Sequence, residues 1–350
     1  MTTSAARRSR LGIAALLLAG ASLAAEAVRA GPGHAPFAAP APHHGRVLEG
    51  RVLYPPAPGG APERIGENAV FHGVDVVRGA PVAPGRHPLV LLSHGLGGHA
   101  GALAWLAAGL AERGAIVVAV NHPGSTAGDL DLGRGLDHWT RAQDLRAALD
   151  GALADPALAP HVDAERIYAA GFSYGGWTAL SVGGLRGDLA GYRRFCAEAA
   201  RGPAHCRALA AAGISLEGRD AERWDAPWKD PRIAAVAAID PGLHAGLGPE
   251  DAADLVAGVL LIGLGEGGDR MILTDFSERG TGLAALLPDA TVVTIAPAAH
   301  VTALPPCKPE GAALLAAEGD DPVCTDPPGT DRAAAHRAIV AAIAAQFGLD

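Results

Sequence analysis

The chain of 350 residues has little of what several classes of protein need. Aromatic residues make up 4% and charged residues 19%, whereas 49% are hydrophobic, so a large core must be built from aliphatic side chains. The formal net charge is −9, and Lys229 and Lys308 are the only lysines. Nucleic acids carry a negatively charged backbone, and no basic stretch occurs beyond the N-terminus, so we expect no nucleic-acid partner.

Motifs for bound metals and nucleotides are also missing. The sequence contains no HExxH motif and no P-loop. Its four cysteines form neither a CxxC motif nor a Cys/His spacing suited to zinc. We therefore expect no metal and no organic cofactor.

The N-terminus has the pattern of an export signal. Three arginines among residues 7–10 precede the apolar run Leu11–Ala25, which is shorter than the roughly 20 residues that span a bilayer. Small residues then offer cleavage sites after Ala27 or Ala30. The prediction is a signal peptide over residues 1–30, by the general or the twin-arginine route, and a periplasmic or secreted protein without stable membrane insertion. Retention as a membrane anchor is the alternative.

The cysteines agree with export. Cys196 and Cys206 lie close in sequence, as do Cys307 and Cys324. Four cysteines allow three pairings, and the local one closes two short loops. In an oxidising compartment we expect these two disulfides, with free buried thiols as the alternative.

The rest of the chain alternates between strand and helix patterns, after a segment, 31–45, that is predicted to be a linker. Continuous apolar strands that alternate with helices indicate a parallel sheet covered on both faces. In such sheets the chemistry lies at the carboxyl ends of the strands. The expected strands are 46–54, 69–77, 88–93, 115–120, 166–170, 233–239, 259–262 and 291–295, and the expected helices are 102–113, 139–154, one that begins at Tyr174, and 332–347.

The most specific motif is Gly171-Phe172-Ser173-Tyr174-Gly175-Gly176. It follows a predicted strand and opens a predicted helix, which is the context in which GxSxG presents a nucleophile. The sharp turn directs the Ser173 hydroxyl out of the sheet, and the glycines avoid collisions of a Cβ with the neighbouring strand and helix. The alternative is a chance Gly-Ser turn.

A second glycine-rich turn, Ser93-His94-Gly95-Leu96-Gly97-Gly98, follows the strand 88–93. Attack on a carbonyl produces an oxyanion that needs two N–H donors. We expect these donors to be the backbone N–H groups of Leu96 and Tyr174. His94 and Gly95 are predicted to lie at the substrate pocket, where His94 supports the loop; a plain turn is the alternative.

The general base is expected after the last strand, where His300 stands; His336, within the last helix pattern, is taken as a surface residue. Two carboxylates could orient His300. Asp240 ends the strand 233–239, and Asp269 lies in a glycine-rich loop after the next strand. We favour Asp240 because it is held at a strand end, and Asp269 stays open as the alternative.

An insertion of about residues 186–230 separates the nucleophile helix from the Asp240 strand. It is predicted to be mostly helical and to form a cap over the pocket, with a surface excursion as the alternative. Trp139 is placed in the same pocket, or else in the core. The stretch 305–328 is expected to brace the loop that carries His300.

These motifs together resemble those of the bacterial predicted dienelactone hydrolases, which belong to the α/β-hydrolase superfamily and are related to platelet-activating-factor acetylhydrolases. The resemblance covers roughly residues 46–347. It implies an α/β-hydrolase fold, a mostly parallel central sheet with helices on both faces, over residues 46–350. The motifs that carry it are Ser93–Gly98, Asn121–Thr126, Gly171–Gly176, Ile239–Pro241 and Ala299–His300.

The resemblance also implies site residues. In the acetylhydrolase relatives the acid lies on the strand after the nucleophile helix, which here is Asp240, and the oxyanion hole corresponds to Leu96 and Tyr174. Dienelactone hydrolases proper use a cysteine nucleophile and an acid one strand later. Because this chain has Ser173 instead, a dienelactone substrate is not implied, and Asp269 remains a candidate.

The expected function is hydrolysis of small-molecule carboxylic esters, with short acyl groups, through a Ser-His-Asp triad and an acyl-enzyme. The low aromatic content and the lack of a long apolar lid helix favour short acyl groups. The alternatives are a serine peptidase, a lipid-directed acyl hydrolase of the platelet-activating-factor acetylhydrolase type, and an inactive binding protein on a hydrolase scaffold. The oligomeric state is not predicted.

Overall fold

The computed structural model describes residues 1–2, 31–198 and 202–349. The predicted signal peptide over residues 1–30 lies almost wholly outside the described residues. Within the described ranges, no helix has both the length and the apolar character needed to cross a bilayer.

A ten-stranded sheet forms the centre of the molecule, and a second sheet of two short strands lies in the loop after β6. The strands in chain order are β1 (Gly33–Ala41), β2 (Arg46–Tyr54), β3 (Ala61–Ile65), β4 (Val74–Arg78), β5 (His87–Ser93), β6 (Ile116–Val120), β7 (Ser125–Thr126), β8 (Asp129–Leu130), β9 (Val162–Phe172), β10 (Ala235–Ile239), β11 (Gly258–Leu264) and β12 (Thr291–Ile295).

The two glycine-rich loops, after β5 and β9, lie where the chain changes the direction in which it adds strands to the sheet. The order is β12-β11-β10-β9-β5-β6-β2-β1-β4-β3, and the run from β12 to β6 is parallel. From β5 the chain moves to β6 on one side and later returns to β9 on the other. Ligands bind at such a switch point in open α/β sheets, outside the carboxyl ends of the strands.

Eleven α-helices occur in the described ranges, and the longer ones cover both faces of the sheet. The α-helices are α1 (Ala104–Ala111), α2 (Leu132–Gly135), α3 (His138–Ala154), α4 (Tyr174–Gly183), α5 (Leu189–Ala197), α6 (Gly202–Ala211), α7 (Ala221–Trp224), α8 (Pro249–Ala252), α9 (Leu283–Leu286), α10 (Gly311–Glu318) and α11 (Arg332–Phe347). Short 3₁₀ helices are Pro42–His44, Ala100–Leu103, Ala159–His161, Gly267–Asp269 and His300–Ala303.

The sheet separates two hydrophobic clusters. In β5, Leu89 and Leu91 point into the cluster under α3 and α4, whereas Val90 and Leu92 point into the one under α1 and α11. A strand buried on both faces must be apolar at every position, which is why the sequence showed continuous apolar runs rather than alternation. The predicted parallel sheet covered on both faces is confirmed.

The prediction of a linker over residues 31–45 is wrong. Residues Gly33–Ala41 form β1, which pairs with β2 along its whole length. Phe37, Ala39 and Ala41 are buried alternately with exposed neighbours, but alanine carries too little hydrophobicity to reveal the alternation. Beyond His34 the strand pairs with β2 alone among the described residues, and a strand edge without a ladder partner tolerates proline.

Two further expectations differ from the structure. The predicted strand 69–77 is replaced by the shorter β4, which pairs with β3. The strand β3 was not expected, because its proline interrupts the strand pattern. His336 is buried rather than on the surface: its ring stacks on Trp105 at 3.6 Å between centroids, and its Nε2 donates to the Thr302 carbonyl. Burial lowers the pKa of His336 to about 4.

The expected disulfides are both present. Cys196 pairs with Cys206, joining α5 to α6, and Cys307 pairs with Cys324. The predicted insertion, about residues 186–230, contains α5, α6 and α7.

Candidate active site

Ser173 stands alone between a strand and a helix. β9 ends at Phe172 and α4 begins at Tyr174, and Ser173 adopts φ 59° and ψ −121°, a conformation that a residue with a side chain rarely takes. A Cβ at Gly171 would collide with the Gly175 carbonyl, and one at Gly175 with the Ser93 carbonyl. The glycines of the motif are therefore required by the close approach of β9, α4 and the end of β5.

His300 connects this serine to a carboxylate. It follows β12 in the 3₁₀ helix His300–Ala303. Its Nε2 lies 3.0 Å from the Ser173 Oγ, and its Nδ1 lies 2.9 Å from the Asp240 Oδ2. Because a carboxylate only accepts, Nδ1 carries the proton and Nε2 is free to accept the serine hydroxyl. This is the hydrogen-bond chain that activates a serine nucleophile.

Asp240 is held rigidly at the end of β10. It is fully buried with φ 44°, its Oδ1 accepts the Leu264 N–H at 2.8 Å, and its Oδ2 also accepts the Thr274 hydroxyl at 3.1 Å. The Arg270 guanidinium lies 4.0 Å from Oδ1. Asp269 is instead exposed in the 3₁₀ helix Gly267–Asp269 and has no hydrogen bond to His300 in the described ranges.

The strand register explains why these residues meet. Ile239 in β10 pairs with Phe172 in β9, so Asp240 and Ser173 leave neighbouring strands side by side. Ser93 in β5 pairs with Gly171, which places the loop after β5 next to the serine. A Cβ at Gly95 would lie 3.2 Å from that of Ser173. The loops after β5, β9 and β10 therefore converge at the carboxyl ends of the strands, where the turn after β12 brings His300 to Ser173.

Two backbone N–H groups beside Ser173 are available to an oxyanion. Tyr174 opens α4, so its N–H has no acceptor within the helix. The Leu96 N–H has no acceptor in the described part of the chain, whereas Gly97 and Gly98 donate to Ser125 and Gly95. Both Leu96 and Tyr174 line the pocket that contains Ser173. The arrangement provides two donors beside the Ser173 hydroxyl, the number that stabilisation of a tetrahedral intermediate requires.

A buried arginine braces the same loop. Arg141 of α3 donates to the carbonyl of His94 and to the hydroxyls of Ser93, Ser125 and Thr178. Its guanidinium carbon also lies 4.4 Å from the centre of the Tyr174 ring. Burial lowers the pKa of Arg141 to about 10, so the side chain is charged at neutral pH. Arg141 thus fixes the strand end and the loop that presents Leu96.

His94 supports the loop from inside. Its Nε2 accepts the His122 backbone N–H at 3.2 Å, so the proton is on Nδ1, which donates to the Gly95 carbonyl at 2.7 Å. Burial, with Arg141 nearby, holds the pKa of His94 well below its ordinary value. His94 is therefore neutral, and its ring stiffens the turn.

The pocket around Ser173 has a volume of about 540 Å³ and is mainly apolar. The insertion contributes Tyr192, Leu209, Ala212 and Ile214 to its wall, and the stretch between the second pair of cysteines contributes Asp321, Pro322 and Val323. The described residues that line it include no lysine and no arginine. Trp139, expected in the pocket, is a core residue instead, because it faces the hydrophobic cluster under α3 and α4.

The stretch 305–328 is tied to the His300 helix by polar contacts. Thr302 donates to Asp326 at 2.7 Å, and Asp326 accepts from Arg332 of α11 at 2.9 Å. Arg332 also donates to the carbonyls of Pro305 and Val323. These hydrogen bonds hold residues 305–328 against the turn that carries His300.

Sequence reasoning missed several residues that position the site. Thr274 and Arg270 act on Asp240 from a loop with no recognisable pattern. Arg141 and Asp144 had a usable signal, because they are charged residues at positions of α3 that otherwise face the core, alongside Ala142, Leu145 and Ala148. A charge on an apolar helix face indicates a buried polar network.

Comparisons with known proteins agree with this geometry. The sequence model of the family described as serine aminopeptidase, S33 matches residues 85–204. No curated protein matches the sequence significantly.

Solved structures are similar over nearly the whole chain. A ferulic acid esterase from Streptomyces cinnamoneus is 22% identical, with 93% of this chain and 91% of that chain covered and a TM-score of 0.57. A dienelactone hydrolase-like promiscuous phosphotriesterase from metagenomic libraries is 15% identical, with 91% and 98% covered and a TM-score of 0.51. At these identities the likeness concerns the fold. Together with the sheet order and the strand-to-helix turn at Ser173, it shows that the chain has an α/β-hydrolase fold.

Proposed function

We propose that the protein is a serine esterase that hydrolyses neutral, mainly apolar carboxylic esters. The observation that carries the proposal is the bridge from Ser173 through His300 to Asp240 inside a pocket with two free N–H groups. Hydrogen bonding in this order gives a nucleophile, a base and an orienting acid.

The reaction proceeds in two acyl transfers. The Ser173 Oγ attacks the ester carbonyl carbon while His300 Nε2 takes the hydroxyl proton, and the N–H groups of Leu96 and Tyr174 stabilise the oxyanion. When the carbon–oxygen bond to the alcohol breaks, His300 returns the proton to the leaving alcohol. Water then attacks the acyl-enzyme with His300 as base, which releases the acid and restores the Ser173 hydroxyl. Asp240 keeps the imidazole in the required tautomer and stabilises the imidazolium.

The pocket supports a neutral substrate. A substrate with a free carboxylate is normally held by an arginine or lysine, and the described lining has neither. The volume of about 540 Å³ lies within the range of ordinary ligand pockets. The short-acyl preference expected from the sequence stays a prediction. Rates on p-nitrophenyl esters from acetate to octanoate, with methyl ferulate as an aromatic ester, would test it.

Covalent labelling tests the proposal directly. A fluorophosphonate probe should label the wild type at Ser173, and Ser173→Ala should lose labelling and at least about 10⁴-fold in kcat for p-nitrophenyl butyrate. Full activity of Ser173→Ala would refute the triad. A wild type that neither reacts with the probe nor hydrolyses any ester would instead indicate an inactive binding protein.

The matched family description favours one second candidate, a serine aminopeptidase. An aminopeptidase must bind the positively charged amine of its substrate, and Asp321 is the acidic residue at the described rim of the pocket. Cleavage of aminoacyl p-nitroanilides that exceeds ester hydrolysis, and that falls in Asp321→Asn, would support this candidate over the esterase.

Export to the periplasm or the exterior is part of the proposal. The two disulfides are compatible with an oxidising compartment. N-terminal sequencing of protein from the native host should find a mature chain that begins near residue 28 or 31. A chain that retains residues 1–30 would contradict cleavage.

A further inference from the structure

Two histidines of the segment taken for a linker meet a carboxylate about 100 residues away. His43 and His44 form the 3₁₀ helix after β1 and point at α3. The His43 Nε2 lies 2.8 Å and the His44 Nε2 lies 2.9 Å from the same oxygen, Oδ1 of Asp144. The three atoms lie within 4.8 Å of one another. Three potential ligand atoms therefore converge on one point.

Asp144 is an unusual carboxylate. Its side chain is fully buried, and no lysine or arginine nitrogen of the described residues lies within 4.0 Å of it. Its second oxygen, Oδ2, accepts the Nδ1–H of His122 at 2.8 Å. A buried negative charge needs a compensating positive charge or dense hydrogen bonding. In the described residues its hydrogen-bond donors are imidazoles, and the positive charge of Arg141 acts on it from more than 4.0 Å away.

We propose that His43 Nε2, His44 Nε2 and Asp144 Oδ1 bind a divalent transition-metal ion of the zinc class. Two imidazoles and one carboxylate oxygen are a donor set that suits zinc rather than calcium or magnesium. The expectation of no metal rested on sequence motifs, which miss ligands brought together by the fold.

Metal binding would change the spacing of the three ligand atoms, which lie within 4.8 Å of one another. Tetrahedral zinc with bonds of about 2.0–2.1 Å separates its ligand atoms by about 3.3 Å. The two hydrogen-bonded contacts would therefore open by about half an ångström. The ion replaces the two Nε2 protons, which are released to solvent. Since the side chains of His43 and His44 are 15% and 14% exposed, the site is open to solvent on their side, where water can complete the coordination.

A hydrogen bond from His122 holds Asp144 in place. His122, which donates to Asp144 through Nδ1, also contacts the Ser93 Oγ through Nε2 at 2.9 Å. Hydrogen bonds from outer groups to a ligating carboxylate orient it for the metal. The ion would join the turn after β1 to α3, on the opposite side of His122 from the loop that carries Leu96. Its role is structural, since His43, His44 and Asp144 do not line the pocket around Ser173.

Metal titration tests the site without using activity. Untagged, chelator-treated protein should bind one equivalent of Zn²⁺ by calorimetry, and its thermal midpoint should rise with Zn²⁺. Cobalt(II) should give the visible absorption of a tetrahedral site. In His43→Gln and His44→Gln, which keep a donor to Asp144, affinity should fall by at least about 100-fold. His72→Ala removes an exposed histidine elsewhere and should bind as the wild type does.

The opposite results are equally clear. A wild type that binds no Zn²⁺ would overturn the proposal, and so would His43→Gln and His44→Gln variants that bind as tightly as the wild type. Because binding is measured directly, these results do not depend on whether the protein is an esterase.

Discussion

Two Ser-His-Asp arrangements occur in the described part of the molecule, and their hydrogen-bond geometry is nearly the same. In one, His300 lies 3.0 Å from Ser173 and 2.9 Å from Asp240. In the other, His122 lies 2.9 Å from Ser93 and 2.8 Å from Asp144. Each serine ends or follows a central strand, and each histidine uses Nδ1 toward the carboxylate.

The two arrangements differ in their surroundings. Ser173 and His300 line the pocket beside two free N–H groups, whereas Ser93 and His122 are fully buried and do not line it. Ser93 Oγ also accepts from Arg141, so one of its lone pairs is engaged. Under the proposed function, the same three side chains are reactive only where a substrate and an oxyanion can be accommodated. In the buried set they hold β5, β6 and α3 together.

The largest effect is expected when the carboxylate of the pocket arrangement, Asp240, is replaced by an amide. Asp240→Asn should lower kcat by about 10⁴-fold, because His300 is no longer held in the tautomer with its proton on Nδ1. The free energy of unfolding should change little. Steady-state hydrolysis and urea unfolding measure both. Asp269→Asn is the matched control and should keep wild-type kcat, since Asp269 is exposed. A large loss in Asp269→Asn with an active Asp240→Asn would reverse the assignment.

The buried arrangement of Ser93, His122 and Asp144 should make the folded protein less stable in mild acid, at a pH above that at which ordinary carboxylates are protonated. Burial, with Arg141 nearby, lowers the pKa of His122 to about 4, below its ordinary value of 6.5. The unfolded chain then binds more protons, so the free energy of unfolding should fall as the pH drops from about 6.5 to about 4. His122 alone accounts for up to about 3 kcal/mol. Burial also lowers the pKa values of His138, His244 and His336, so these residues add to the same pH dependence.

Urea unfolding at pH 8, 6.5, 5 and 4 measures this dependence. The exposed His72→Ala variant should show the wild-type slope. A free energy of unfolding that is constant from pH 6.5 to pH 4 would contradict neutral buried histidines.

The smallest effect is expected for the buried serine. Ser93→Ala removes the partner of His122 and one acceptor of Arg141, so it should lower the free energy of unfolding by about 1–2 kcal/mol. It should still react with the fluorophosphonate probe at Ser173. Labelling kinetics and urea unfolding would check both. Loss of labelling in folded Ser93→Ala would mean that the buried set takes part in catalysis.

Much of the fold was predictable from local patterns. The runs 115–120 and 291–295 and the helix 332–347 coincide with β6, β12 and α11 to within a residue. Their signals are strong because buried parallel strands and long helices are apolar in a continuous or periodic way. The strand β1 was missed because its alternating positions are occupied mostly by alanine and proline, which give no clear hydrophobic alternation.

The candidate site was predictable in part for a similar reason. Ser173 and its glycines form a local motif, since a strand-to-helix turn needs residues adjacent in sequence. The choice between Asp240 and Asp269 was not local. It depends on how far the His300 side chain reaches from the turn after β12, across β11 to the end of β10, and on the hydrogen bonds that Leu264 and Thr274 donate to Asp240.

By itself, the sequence determined the class of fold, the position of the strained serine and the pairing of the cysteines, because each depends on residues close together along the chain. Only the tertiary structure decided that Asp240 holds His300, that Trp139 belongs to the core, and that His43 and His44 reach Asp144. These contacts join residues 60 to 101 positions apart or depend on which side of a helix faces the sheet. Side chains that distant meet only after the strands have paired and the helices have packed.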